Sequence, residues 1–180
     1  MARVSVHQEP IGLEAIARHY IRDLVYGAND GIITTFAVVA GVSGGALSAR
    51  AALIIGAANL FADGLSMGVG NYLSIRSHEG AREAAGLPEE EARPARHGIA
   101  TLLAFIVAGA IPLGPFLIPR IHGPAWSVVW TFVALFVLGS ARSIVTTDRW
   151  WRAGLEMLGL GALVAAAAYG SGAIVARLIA

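Results

Sequence analysis

The sequence predicts an all-α integral membrane protein of five transmembrane helices with an N-terminal amphipathic helix. Three observations carry this. First, 56% of the 180 residues are hydrophobic and only 14% are charged, with a mean hydropathy of +0.66. A soluble domain of this length needs far more charge to cover its surface. Second, five apolar segments stand at roughly 25–44, 51–74, 98–119, 125–143 and 154–178. Each has about the 20 residues a helix needs to cross the hydrocarbon. Third, the arginines sort by connection. Arg3, Arg18, Arg22, Arg76, Arg82, Arg93, Arg96, Arg142, Arg149 and Arg152 fall on one side if the five spans alternate, and Arg50, Arg120 and Arg177 on the other. That asymmetry is a positive-inside signal, with the N-terminus cytoplasmic and the C-terminus outside.

Before the first span, "PIGLEAIARHYIRDL" (residues 10–24) places Ile11, Ile16, Tyr20 and Leu24 near one face. Glu14, Arg18 and Arg22 follow one another at i,i+4 on another face. Such a helix lies at the membrane surface or extends the first span as its charged end. Residues 1–24 are thus a cytoplasmic tail and amphipathic helix, and 25–180 the five-span domain. In span three, "GAIPLGPFLIP" contains Pro112, Pro115 and Pro119. Each removes a backbone donor, so the helix is expected to break or kink in its outer half, or simply to end there. Trp126 and Trp130 open span four, and Trp150 and Trp151 precede span five, as interfacial anchors. "AGVSGG", "GVG" and "GLGALVAAAAYGSG" supply small residues for close helix packing and a helix-mediated oligomer.

Several function classes are excluded or disfavoured. A net charge of +1 gives no footprint for nucleic acid. The absence of Cys removes disulfides, thiolate metal sites and Cys nucleophiles. The N-terminus has no continuous apolar stretch typical of a secretory signal. No nucleophile–base set, P-loop or dinucleotide fingerprint is present, and no His pair has helical zinc spacing, so an enzyme is not expected.

Two carboxylates lie well inside apolar segments. Asp30 sits in "YGANDGIITTF" and Asp63 in "NLFADGLSMG". A charge at the bilayer centre costs about 2.5–3.5 kcal/mol on insertion scales, so each is a site candidate. Asp also favours helix N-caps, and "NDGIITT" could start a helix near Gly31. Asp63 could instead be a protonated packing residue. Asn59, Asp63 and Met67 recur at i, i+4 and i+8, one stripe of a helix. Carboxylate oxygen suits hard cations and thioether suits softer ones, so the mixture points to a borderline transition ion such as Fe²⁺. The connection 75–97 carries Glu79 and Glu83 one turn apart and the run Glu89, Glu90, Glu91. These could draw cations to a cytoplasmic mouth, and a solvated connector explains them equally well.

"RDLVYGANDGIITTFAVVAGVSGG" followed by "ALIIGAANLFADGLSMGVGNYLSIRS" resembles the first two spans of the vacuolar iron transporter family. "GAIPLGPF" and "LGLGALVAAAAYGSG" resemble its later spans. The resemblance implies a five-span fold that dimerises, with an ion path along the two-fold axis between the first two helices of each subunit. It implies export of Fe²⁺, in some members Mn²⁺, from the cytosol against protons. It places the family's span-one Asp on Asp30 and its span-two Met on Met67. A span-two Glu of some members falls on Asn59, an amide here, and Asp63 is placed to compensate. Members with a cytoplasmic metal-binding domain carry a long Glu-rich insert between spans two and three. This chain is similar to a short member lacking it.

The expectation is a homodimeric Fe²⁺ or Mn²⁺ transporter of the cytoplasmic membrane, with the ion as substrate and no tightly bound cofactor. Metal ligands are Asp30, Met67, Asp63 and Asn59. Asp30 and Asp63 exchange protons, and Glu79 and Glu83 are candidates for the cytoplasmic intake. The alternative is a membrane scaffold whose acids serve only packing.

Overall fold

The computed structural model describes residues 5–7, 9–118, 120, 123–144 and 147–179. The expectations at Arg3 and Pro119 fall outside the described residues. Among the described residues six α-helices follow in order: α1 (Leu13–Gly44), α2 (Ala49–Ala84), α3 (Pro94–Gly109), α4 (Gly114–Leu117), α5 (Pro124–Arg142) and α6 (Trp150–Ile179). A 3₁₀ turn, Ile111–Leu113, joins α3 to α4. Taking α3 through α4 as one unit, five helices are long and apolar enough to cross a membrane.

The N-terminal amphipathic segment is not separate from span one. No breaker lies between Leu13 and Gly44, and Arg18 pairs with Glu14 at 2.7 Å along the helix, so α1 runs uninterrupted through both. Asp30 therefore sits in mid-helix, which removes the N-cap reading. The other connections are set locally. Ser48 accepts the Ala51 N–H and starts α2. At the end of α2, Gly86 has φ +69°, and the N–H groups of Gly86 and Leu87 donate back to Glu83 and Arg82. This αL exit satisfies the last carbonyls of the helix. α2 thus extends well into the connection expected at 75–97, and only residues 85–93 are non-helical.

Span three breaks as its prolines dictate. The α-helix stops at Gly109, and the 3₁₀ turn and α4 complete the crossing. The carbonyl of Pro112 is not orphaned, because the buried Ser127 hydroxyl of α5 donates to it at 2.6 Å. Non-helical backbone at membrane depth is tolerated where protein buries it in this way.

Small residues set the helix spacing. A Cβ on Gly27 of α1 would meet the Thr101 carbonyl of α3 at 2.5 Å, and one on Gly68 of α2 would meet the Gly98 carbonyl at 2.8 Å. Phe36, Val39, Val42, Ala52, Leu113 and Phe116 form one core cluster, and Ile32, Leu135 and Met157 another. The periphery is greasy, with Phe61, Val107 and Leu163 each more than 60% exposed. Such a surface requires lipid or a second chain as its solvent.

Candidate functional site

Two polar assemblies stand against this apolar background. The first begins at the end of the bundle where α1 enters. Asp23, Thr101 and His97 are buried there, from α1 and α3. The Asn71 amide of α2 donates to Asp23 Oδ1 and to Thr101 Oγ1, both at 2.8 Å. Thr101 Oγ1 donates in turn to the His97 carbonyl at 3.0 Å. The second Asp23 oxygen bonds His97 Nδ1. A buried carboxylate is costly unless its lone pairs are occupied, and here both oxygens are engaged. One network therefore ties three helices together.

His97 Nε2 faces Glu91 Oε2 at 2.9 Å. Glu91 also lies 3.4 Å from His19 Nε2 and 3.6 Å from His7 Nδ1. Its other oxygen accepts the Arg93 N–H at 2.7 Å. Burial would raise the Glu91 carboxyl, but the Arg93 amide and the His97 ring outweigh this and hold it below the ordinary carboxylate range. The Glu79 carboxylate accepts the backbone N–H groups of Glu90 and Glu91 at 3.1–3.3 Å, which orients this stretch. A cleft of about 560 Å³ opens here, lined by His19, His78, Glu79, Glu90, Glu91 and His97 among others. Residues 5–7 attach to the same connection, with the Val6 N–H donating to the Glu89 carbonyl at 2.8 Å.

The second assembly runs into the bundle from Asn71. Stepping back along α2 by fours gives Met67, Asp63 and Asn59, all half-buried, while Leu60, Gly64 and Gly68 beside them are buried. The Asn71–Asp23 bond fixes the antiparallel register of α1 and α2. Two turns along α1 from Asp23 stands Asp30, and two turns back along α2 from Asn71 stands Asp63. The two carboxylates therefore stand at similar depth, about 10–12 Å from that bond along their helices. Thr34, one turn beyond Asp30, bonds its hydroxyl back to the Asp30 carbonyl at 2.8 Å, so its polar group serves the helix itself. Asn59, Asp63 and Met67 thus share one stripe of α2, and Asp30 stands on α1 at the depth of Asp63.

A family model described as the VIT family matches residues 21–86 and 80–173. The chain belongs to the VIT family. Its curated relatives include Vacuolar iron transporter 1 of Arabidopsis thaliana, 28% identical over 85% of each chain. Vacuolar iron transporter homolog 1 of Oryza sativa subsp. japonica is 30% identical over 88% of this chain and 75% of its own. A Vacuolar iron transporter of Toxoplasma gondii is 44% identical over a shorter stretch, 39% of this chain and 24% of its own.

In this VIT-family chain the expected intake residues part company. Glu79 is buried, lines the cleft and holds the connection by its amides, whereas Glu83 is exposed on α2 and is not among the cleft residues. Sequence reasoning missed Asp23, His19, His97 and the special place of Glu91 within the acidic run. Asp23 and His97 are 74 positions apart, so no local spacing joins them. The available signal was weaker: Asp23 stands two turns before Asp30, and Asn71 one turn after Met67, continuing both polar faces.

Proposed function

We propose that this protein transports divalent transition metal, Fe²⁺ and also Mn²⁺, out of the cytosol in exchange for protons, as a homodimer in the cytoplasmic membrane. One arrangement carries the reading: Asp30 on α1 and Asp63 on α2 each stand about two turns from the Asp23–Asn71 hydrogen bond, so two carboxylates lie at similar depth inside the apolar bundle. Two carboxylates at one depth in a low dielectric are electrostatically incomplete. Either a cation or a proton between them completes the arrangement, and exchange of one for the other is antiport. The names of the curated relatives support iron as the cargo.

In this reading metal is taken up at the His19–Glu91–His97 end and passes Asn71 to Met67. Met67 offers a soft sulfur, and Asp30 and Asp63 offer charge at mid-depth, with Asn59 beyond them. The ten-arginine side, which holds this cleft, is cytoplasmic by the positive-inside rule. The column is only half-covered by its own chain. Beside it, Ala58, Ala62, Ser66 and Gly70 form an exposed stripe of small residues at i,i+4. Such a stripe suits close approach of a second α2, which would complete the path on a two-fold axis.

The test is flux into proteoliposomes with a panel of divalent ions and an imposed pH gradient. Asp30→Asn keeps the side chain's shape but cannot be both carboxylate and proton carrier. It is expected to lower Fe²⁺ flux at least tenfold while expression and elution volume stay normal. Undiminished flux in that variant would overturn the assignment.

A further inference from the structure

We infer that His19 of α1, Glu91 of the short α2–α3 connection and His97 of α3 form a transition-metal binding site at the cleft, separate from Asp30 and Asp63. Ligand atoms of the three lie within 4.8 Å of one another. The two separations that involve Glu91 Oε2, 2.9 Å to His97 Nε2 and 3.4 Å to His19 Nε2, suit a common ion. Donors about 2.1 Å from one metal stand about 3.0–3.4 Å apart along an octahedral or tetrahedral edge.

Three further features point to an ion rather than to packing. His19 Nε2 is buried without a hydrogen-bond partner among the described residues, yet it faces the carboxylate. His97 has a carboxylate against each ring nitrogen, Asp23 at Nδ1 and Glu91 at Nε2. A neutral imidazole has one N–H, so with Nδ1–H given to Asp23 the contact between Nε2 and Glu91 is completed by a proton or by a metal ion, and the unpartnered His19 Nε2 beside it favours the metal. Asp23 then acts as the orienting carboxylate behind a metal-bound His, itself held by Asn71. The fourth side faces the open cleft, which leaves room for water ligands. Glu79 is a positioning residue: by holding the Glu90 and Glu91 amides it aims the Glu91 carboxylate inward.

Two imidazoles and one carboxylate select a first-row divalent transition ion over Mg²⁺ or Ca²⁺, which favour all-oxygen sets. The site's role as intake rests on the transport reading, but its binding does not. Co²⁺ is the probe, because nitrogen ligation at low coordination number gives visible absorption without turnover. Purified full-length protein in detergent is titrated with Co²⁺, and flux is measured in parallel. The wild-type chain should show a saturable band that a hundredfold excess of Mg²⁺ leaves intact. His19→Gln and Glu91→Gln should each weaken binding at least tenfold. Asp23→Asn should weaken it roughly 10–100-fold, as loss of an orienting partner does. Glu14→Gln, exposed on α1 and outside both sites, should leave the band unchanged.

An unaltered titration in both His19→Gln and Glu91→Gln would overturn the site, as would displacement by Mg²⁺ or no saturable band in the wild type. Those last outcomes would mean that His97 is simply an imidazolium bridging two carboxylates. Wild-type binding with no flux in any liposome would instead overturn the transport reading and leave the site standing.

Discussion

Within the α2 column the side chains are chemically unlike, so their contributions should separate. Met67 carries the column's soft donor, and Asp63 its ionisable group. Met67→Leu conserves volume, and such swaps cost less than about 1.5 kcal/mol, so folding should hold. Fe²⁺ flux should nonetheless fall several-fold more than Mn²⁺ flux, because only the softer ion loses a preferred ligand. Asp63→Asn keeps shape and removes the proton site, so the dependence of flux on pH should flatten. Both variants belong in one liposome assay, with both ions at two internal pH values. Equal losses of both ions in Met67→Leu would remove sulfur from the selectivity argument. An unchanged pH profile in Asp63→Asn would leave Asp30 as the sole proton carrier. Asn59 contributes an amide where some relatives are expected to have a carboxylate, so the far end of the column carries less charge here.

At the scale of elements, the segment before α1 is held by charge. Glu9 pairs with His7 at 3.3 Å and with Arg96 at 2.9 Å, and also meets Arg93. Slight desolvation raises the Glu9 carboxyl, but His7, Arg93 and Arg96 together hold it below the ordinary value of 4.5. A depressed carboxyl contributes stability above its unfolded value and loses it as pH falls through the folded value. The Val6 and His7 amides, which donate to the Glu89 carbonyl and to Ser5 Oγ, should therefore be protected relative to intrinsic exchange at pH 7 and lose that protection below about pH 4.5, and Glu9→Gln should lack it at both. Protection independent of pH would show that backbone pairing at Glu89 alone secures the segment. The elements themselves were legible in the sequence to differing degrees. The break in span three followed from Pro112 and Pro115, whose chemistry is local. The fusion of the amphipathic segment with span one was one of two open readings. It was decided by the lack of any stop signal before Gly44, which periodicity alone does not weigh. The α2 column was legible because a four-residue repeat is a local property. The cleft was not, because His19, Glu91 and His97 come from two helices and a turn, and only the packing of α1 on α3 brings them together.

For the molecule as a whole, the exposed faces decide what surrounds it. Most of α6 and one face of α2 lie open, yet they differ in texture. Leu163 and Leu178 stand out from α6, while Ala58, Ala62, Ser66 and Gly70 leave α2 smooth. Small residues gain by backbone approach, and large ones are as well solvated by lipid tails. The chain has no Cys, so an introduced thiol reports cleanly. Ala62→Cys should give a disulfide-linked dimer in membranes under mild oxidation, and Leu163→Cys should not. The reverse pattern would place α6 at the interface and leave the polar stripe of α2 facing lipid.

The register set by Asp23 and Asn71 has a further consequence for how such a chain tolerates changes of length. Each residue added to a helix turns everything beyond it by about 100°. Seven positions separate Asp23 from Asp30, and eight separate Asp63 from Asn71, intervals close to whole turns. A single-residue insertion or deletion inside either interval would swing one carboxylate of the pair away while both helices stayed intact. Beyond Asn71 the constraint ends, and α2 carries no member of the column between there and Gly86. Indels are thus forbidden by phase between the Asp23–Asn71 bond and the two acids and permitted after it, so the α2–α3 connection is where this architecture can grow or shrink while Asp30 and Asp63 keep their register.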